Sequence, residues 1–332
     1  MAGLLPTRYG GLSSLAAPLK VVVIGTGFGR RTVAPAYESL GCQVELLSPR
    51  DAQRIKRAVA NPCDLVSIHS PPFLHLEHVS LAVAHGRPVL CDKPFGRSAA
   101  EAGQMLELAA GAGVPHFLNF EFRFDPPRQQ MKQLLDDGAI DRPLHMTCNM
   151  FMSSGRGSPH GWLFDRDLGG GWIGAFGSHH VDLLHWLFGK IESVSCLSRI
   201  DVPARPARGA ADGRMQQATA EDAFTAWFKL INGVTSSLDS GCSSAVDLPS
   251  QIALLGTEGA LQLTHGSELV LLRPDREPVR MPIEGNSNPV QVAQERWLDK
   301  VCRAVRTGEQ VGPDFADGLA CAEILDAMRA GR

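Results

Sequence analysis

The sequence predicts an α/β protein in two parts: an N-terminal doubly wound parallel sheet, then a C-terminal α+β domain with a large, mostly antiparallel open sheet. Three observations carry this. Short apolar runs, each followed by a helical pattern, fill the first third of the chain, as strands buried on both faces do. The first run enters a glycine turn, Gly25-Thr26-Gly27-Phe28-Gly29. From Ser193 onward most segments read as strands, with Asn232-Gly233 and Thr257-Glu258-Gly259 as hairpin turns.

Composition bounds the rest. The 332 residues suggest about two domains of roughly 100–200 residues each. With 44% hydrophobic and 20% charged residues, the chain has an ordinary globular make-up. A net charge of -3 supplies no basic field for nucleic acid and no polybasic membrane patch. No apolar run approaches the roughly 20 residues of a membrane span. Residues 1–19, broken by Pro6, Gly10 and Gly11, read as a disordered leader or an over-long start. Eight scattered cysteines without a C-x-x-C read as buried thiols in a reducing cytoplasm.

In chain order, Val21 to Ile24 is the first strand, and a helix follows the glycine turn through Leu40. Glycines there let the backbone bend and approach a pyrophosphate, which the helix N-terminus attracts. The spacing is unusual: Arg30 stands where G-x-G-x-x-G has its third glycine, which falls one place early at Gly29. Gln43 to Ser48 is the second strand, and Asp51 caps a short helix. Leu65 to Ile68 is the third, followed by His69-Ser70-Pro71-Pro72 and a helix through Ala84. Pro88 to Cys91 is the fourth, ending in Asp92-Lys93-Pro94. After a helix over Ala99–Ala110, Val114 to Leu118 is the fifth, ending at Asn119. Ligands of such sheets sit outside the carboxyl ends of the strands, where these turns converge. A dinucleotide-binding, doubly wound domain over 20–122 is therefore expected, holding the ligand with the glycine turn, Arg30, Ser48, Arg50, His69 to Pro72, His75, Asp92, Lys93 and Asn119. His75 reads more readily as a structural residue closing the turn after Pro71-Pro72.

The end of the second strand bears on the cofactor. A carboxylate there would bind the adenosine ribose, but Ser48 and Pro49 stand in its place beside Arg50. A hydroxyl and a guanidinium suit a 2'-phosphate, which favours NADP(H) over NAD(H). The plainer reading makes Arg50 a surface arginine.

Residues 123–332 form the second expected domain. Asp125 caps a helix through Asp136 with Pro126 at its first position. Strands follow at Pro143–Met152, Cys196–Val202, Phe224–Ile231, Val234–Ser240, Gln251–Leu255 and Leu269–Leu272, and helices at Val290–Arg306 and Phe315–Arg329. Residues 203–221, rich in Ala, Gly and Arg, read as an exposed, mobile loop. In Gly169 to Gly189, Ser178 caps a helix through Phe188, on which His179 and Asp182 share a face. His179 could serve as a general base or merely satisfy a helix end. No metal site is expected, because adjacent histidines diverge on a helix and His179, His180, Asp182 and His185 cannot converge.

The glycine turn, Pro71-Pro72-x-x-His75, Asp92-Lys93-Pro94, Asn119 to Pro126 (NFEFRFDP) and Gly169-Gly170-Gly171…His179-x-x-Asp182 together resemble the glucose-fructose oxidoreductase / inositol dehydrogenase (Gfo/Idh/MocA) family over about residues 20–330. The resemblance implies a nicotinamide-dependent oxidoreductase for a sugar, polyol or related carbonyl compound, and a C-terminal sheet that builds a homodimer or homotetramer. It places Lys93 at the family's lysine, with Asp92 replacing a glutamate, and His179 at its catalytic histidine. It departs at Ala175, where the dehydrogenases commonly carry an aspartate; Asp182 matches the sugar-binding aspartate. In this reading His179 exchanges the hydroxyl proton and Lys93 steadies the alkoxide, or Lys93 is itself the base. Arg123, Trp162, Trp172, His180 and Asp182 line the substrate pocket, with core packing for the tryptophans and a structural ion pair for Arg123 as alternatives. Ala175 also keeps open a non-catalytic NAD(P)-binding sensor, and family precedent a glycosidase using a held nicotinamide.

Overall fold

The computed structural model describes residues 17–209, 212–282 and 289–331, so the expected leader falls outside it up to residue 16. Val21 to Ile24 have no polar side chain to offer water, and their strand, β1 (Lys20–Ile24), is accordingly internal. It joins β2 (Gln43–Leu47), β3 (Leu65–Ile68), β4 (Val89–Cys91) and β5 (His116–Leu118) in a parallel sheet ordered β2-β1-β3-β4-β5. The chain steps outward from β1 to β2 and then returns to the other side of β1. The carboxyl ends of β1 and β3 flank that reversal, where a crevice opens. Alternate side chains enter two cores: Val22 and Ile24 one, Val21 and Val23 the other.

Helices cover both faces. A π-helical turn, Gly29–Val33, runs into α1 (Ala34–Ser39). α2 (Ala52–Ala60) is capped by Asp51, which accepts from the Arg54 amide at 3.0 Å. α3 (His75–Ala84) and α4 (Ala99–Ala112) follow β3 and β4. One cover comes from far along the chain: α7 (Pro289–Thr307) inserts Trp297 into the Val21–Val23 core, stacked on Phe124 at 4.8 Å.

The second sheet has eight strands: β6 (Pro143–Phe151), β7 (Ile191–Arg199), β10 (Ala223–Leu230), β11 (Thr235–Gly241), β12 (Gln251–Gly256), β13 (Ala260–Thr264), β14 (Glu268–Leu272) and β15 (Val279–Met281). Their order is β15-β14-β13-β12-β6-β11-β10-β7, antiparallel except for β6 with β11. Phe224, Ala226 and Phe228 of β10 face the core with residues of α6 (Ser178–Phe188) and α8 (Phe315–Arg329). The alternate residues face outward. Leu197, Trp227 and Leu255 are exposed on that open side, which no described helix covers.

Three local expectations are corrected. Residues 203–221 are not simply an exposed loop: apart from 210–211, outside the described residues, they contain the ribbon β8 (Ala204–Pro206) and β9 (Met215–Gln217). Arg205 of β8 is wholly buried, with Nη2 donating to Asp222 at 2.8 Å and the guanidinium 3.4 Å from the Phe164 ring centre. Ser178 does not cap a helix; the helical path starts with a π turn at Ile173–Gly177, and the Ser178 hydroxyl is buried without a partner. Asp125 precedes α5 (Pro126–Asp136) but pairs with Arg128 rather than capping an amide.

Candidate active site

The crevice at the strand ends is a cleft of about 1500 Å³. Thr26, Gly27 and Phe28 line it after β1, Ser48 and Arg50 after β2, His69 to Pro72 after β3, and Asp92 and Lys93 after β4. The glycines have distinct reasons. A Cβ on Gly25 would lie 2.4 Å from the His69 carbonyl oxygen, so the turn can close only on a bare backbone. A Cβ on Gly27 would meet nothing within 4 Å, because that position faces the open cradle. Gly29 begins the helix against His69.

A polar chain fixes the floor of the cleft. Tyr37 donates to Ser67 at 3.2 Å, Ser67 meets His69 Nε2 at 2.8 Å, and His69 Nδ1 meets Asp92 at 3.0 Å. Burial alone would raise the Asp92 carboxyl, but His69 and then Lys93 outweigh it and hold the group below its ordinary value. An ionised Asp92 only accepts, so His69 Nδ1 donates to it. Asn119 donates to Asp92 at 3.3 Å and exchanges hydrogen bonds with Gln294 of α7.

Three expected cofactor residues stand elsewhere. Arg30 is exposed on the π turn and absent from the cleft lining. His75 is fully buried, its Nε2 2.8 Å from the Ser70 carbonyl, where it holds the Ser70–Pro72 turn from behind. Asn119 lies beneath the floor.

A second space of about 900 Å³ adjoins the cleft, sharing Phe28, Asp92, Lys93 and Trp162 with it. Glu121, Trp172, Ala175 and His179 complete its reactive wall. Lys93 Nζ donates to the Ala175 carbonyl at 2.7 Å, so position 175 orients the ammonium through its backbone. His179, on the first turn of α6, stacks on Phe122 with ring centres 4.2 Å apart. Its Nε2 stands 4.0 Å from Glu121 Oε1, and its Nδ1 is buried without a hydrogen-bond partner. Burial, then the Lys93 and Arg128 charges, push the imidazole well below its ordinary pKa, so it is neutral at pH 7.

Trp162 and Trp172 both border this space; Trp172 stacks on Phe176 and donates to Ser240 at 2.7 Å. The other expected substrate residues do not reach it. Asp182 is buried and bound by Arg123, whose Nη2 donates to it at 2.6 Å and to Asp317 of α8 at 2.9 Å. Burial would lower the guanidinium's pKa, but the two carboxylates raise it. These residues tie α6 and α8 to the segment after β5. His180 points to the sheet, 3.0 Å from Ser236, and burial pulls it down to about 3. Glu121 and Arg208 are residues that sequence reasoning missed. A lone carboxylate within Phe120-Glu121-Phe122 was a usable signal for the first; Arg208, beside the cleft near Arg50, had none. Among the described residues no His, Cys, Asp and Glu cluster is arranged to hold a metal.

A parallel sheet with a glycine cradle at its strand ends, opening onto a pocket with a lysine and a histidine, defines the class of Rossmann-fold oxidoreductases. Residues 19–120 match the oxidoreductase family with an NAD-binding Rossmann fold, and residues 128–262 match the GFO/IDH/MocA C-terminal domain. The chain belongs to the GFO/IDH/MocA family of oxidoreductases. It is 30% identical to an uncharacterized oxidoreductase of Synechocystis sp., over 82% of this chain and 80% of that protein. It is 25% identical to levoglucosan dehydrogenase of Pseudarthrobacter phenanthrenivorans, over 80% and 76%. A solved levoglucosan dehydrogenase in complex with NADH and levoglucosan shares the fold, with a TM-score of 0.82 at 20% identity over 95% and 97% of the chains. No helix among the described residues is long and apolar enough to cross a membrane.

Proposed function

We propose that this protein transfers a hydride between a nicotinamide dinucleotide, NADP(H) in preference to NAD(H), and a secondary alcohol carbon of a sugar, polyol or related carbonyl compound. The observation that carries the reading is Lys93, which borders both the cleft and the adjoining pocket, its ammonium aimed by Ala175 at the wall that holds His179. A dinucleotide fits the residues present: Gly25 permits the closed turn, Gly27 leaves the cradle open, and helical backbone N–H groups begin at Gly29. When bound, the nicotinamide supplies the hydride acceptor or donor. Lys93 steadies negative charge growing on the substrate oxygen, and His179, neutral and within the same pocket, exchanges the proton. Trp162 and Trp172 offer flat apolar surfaces to a sugar ring.

The preference for a 2'-phosphate rests on Arg50 and Arg208, which line the same end of the cleft with no carboxylate at Ser48 and Pro49. Self-association through the C-terminal sheet, as a homodimer or homotetramer, is favoured by its open face, where Leu197, Trp227 and Leu255 are exposed; light scattering of native protein and Trp227→Lys tests it. All eight cysteines are buried free thiols, which suits a cytoplasmic setting.

The test is a turnover screen with both cofactors in both directions. Levoglucosan, D-apiose and inositol, the compounds for which relatives are named, come first. Lys93→Ala should lose about two orders of magnitude in rate or more, the scale of one such donor; near-normal turnover would remove Lys93 from the chemistry. Ala175 favours a second reading, because this wall lacks a carboxylate at that position. Tight NADPH binding with no turnover on any compound would make the protein a nicotinamide-binding sensor.

A further inference from the structure

We propose that Glu121 holds the proton that His179 exchanges with substrate, acting through the imidazole as a positioning and relay residue. The inference rests on the assignment of Lys93 and His179 to the reacting oxygen. Glu121 opens the short helical turn Glu121–Phe124 directly after β5, and is buried between Phe120 and Phe122 in sequence. Burying a carboxyl is costly unless it is paired, yet Oε2 has no hydrogen-bond partner and Oε1 has His179 Nε2 at 4.0 Å. Both residues border the pocket that Lys93 enters. Apo distances of this kind tighten, or close through one water, when substrate is bound.

The charges around the pair decide where its proton rests. Lys93 and Asp92 face Glu121 from the turn after β4, Arg128 from α5, and His179 from α6. Burial raises Glu121 to about 7, Lys93 opposing it and Asp92 adding to it. His179 is pushed the opposite way by burial, Lys93 and Arg128. An isolated imidazole so perturbed is a poor lasting acceptor, whereas a carboxylate beside it can take the charge.

The step balances one proton in and one out. With neutral His179 protonated on its buried Nδ1, the substrate hydroxyl proton arrives at Nε2, which opens to the pocket, and passes on from there to the Glu121 carboxylate beside it. The imidazole ends as it began, Glu121 ends neutral, and the hydrogen on the substrate carbon would leave as hydride, with both electrons of its bond, for the nicotinamide. Carbonyl reduction runs the same path backwards from a protonated Glu121. The oxidation rate therefore rises with pH through the Glu121 titration, and the reduction rate falls.

Two measurements test this with intact protein. In the first, which needs no turnover, the histidine nitrogens are labelled with ¹⁵N and followed by NMR from pH 5 to 9. His179 should report a titration near 7 that disappears in Glu121→Gln and persists in Glu121→Asp. A His179 signal flat across this range in native protein, or one unchanged in Glu121→Gln, overturns the proposal. In the second, Glu121→Gln should lose about 10²-fold or more in kcat, the range of positioned acid–base groups, together with the neutral break in the pH profile. If Lys93→Ala and His179→Asn are inactive while Glu121→Gln keeps native rate and profile, the relay fails and the wider reading stands. If Lys93→Ala and His179→Asn keep native turnover, the assignment beneath it fails.

Discussion

Replacing Arg205 by alanine tests what fastens the ribbon to the second sheet. The side chain is fully buried, and Nη1 donates to the Gly155 carbonyl while Nη2 donates to Asp222 at 2.8 Å and Ser243 at 2.9 Å. In the variant, Asp222 stays buried with only the amides of Asp201 and Val202 against its carboxylate. Stranding one partner of a buried pair costs about 3–5 kcal/mol, a large share of the roughly 5–15 kcal/mol by which proteins are stable. With a urea dependence of about 3 kcal/mol/M, the unfolding midpoint should fall by about 1–1.7 M. Urea titration followed by circular dichroism gives this directly. Arg205→Met, which keeps most of the volume, should fall nearly as far, because the charge on Asp222 and not the packing sets the loss. Arg205→Met combined with Asp222→Leu should recover much of it. A midpoint within about 0.2 M of native in Arg205→Ala, or no recovery in the double variant, would refute this account of the anchor.

Charge reversal of Arg50, or of Arg208, should weaken NADPH far more than NADH, since only the former carries the 2'-phosphate; equal losses measured by fluorescence titration would dismiss a phosphate clamp. His180 gives a pH prediction. Burial holds it down to about 3, so the unfolded chain takes up its proton near 6.5 while the folded protein does not. Stability from this group is complete above about pH 6.5 and falls by about 1.4 kcal/mol per unit as pH drops toward 3. His180→Gln should flatten the acid limb of stability between pH 6 and 4 by about one proton, and an unchanged slope would show that another group sets it.

The parallel sheet was legible because strands buried on both faces need apolar runs: Val21–Ile24 has nothing else, and Leu65–Ile68 is interrupted only by Ser67. The turns at their ends, from Gly25 to Lys93, were legible for the same geometric reason. Partners brought together by folding were not. Arg123 and Asp182 lie on separate elements, 59 residues apart, and only the docking of α6 and α8 beside β5 closes their ion pair. The stripe on α6 suggested that Asp182 joins His179 at substrate, but such spacing cannot say what covers that face. The ribbon escaped detection because two three-residue strands leave no period and its most buried side chain is an arginine. β13 was overlooked, and β7 was placed several residues late.

Arg208 and Trp162 reach the cleft from beyond the parallel sheet, between β6 and β9, while Arg50 comes from the end of β2. For protein engineering, the proposed phosphate clamp would make cofactor choice a property of two grafts. A chimera that takes residues 20–122 from this protein and the remainder from a relative would inherit Arg50 and the glycine cradle but leave Arg208 behind. It would also lose Trp297, whose ring fills the core on one side of the sheet being transplanted. A portable cofactor module from this chain has to include its penultimate helix and the β8–β9 ribbon as well as the sheet that carries the glycine turn.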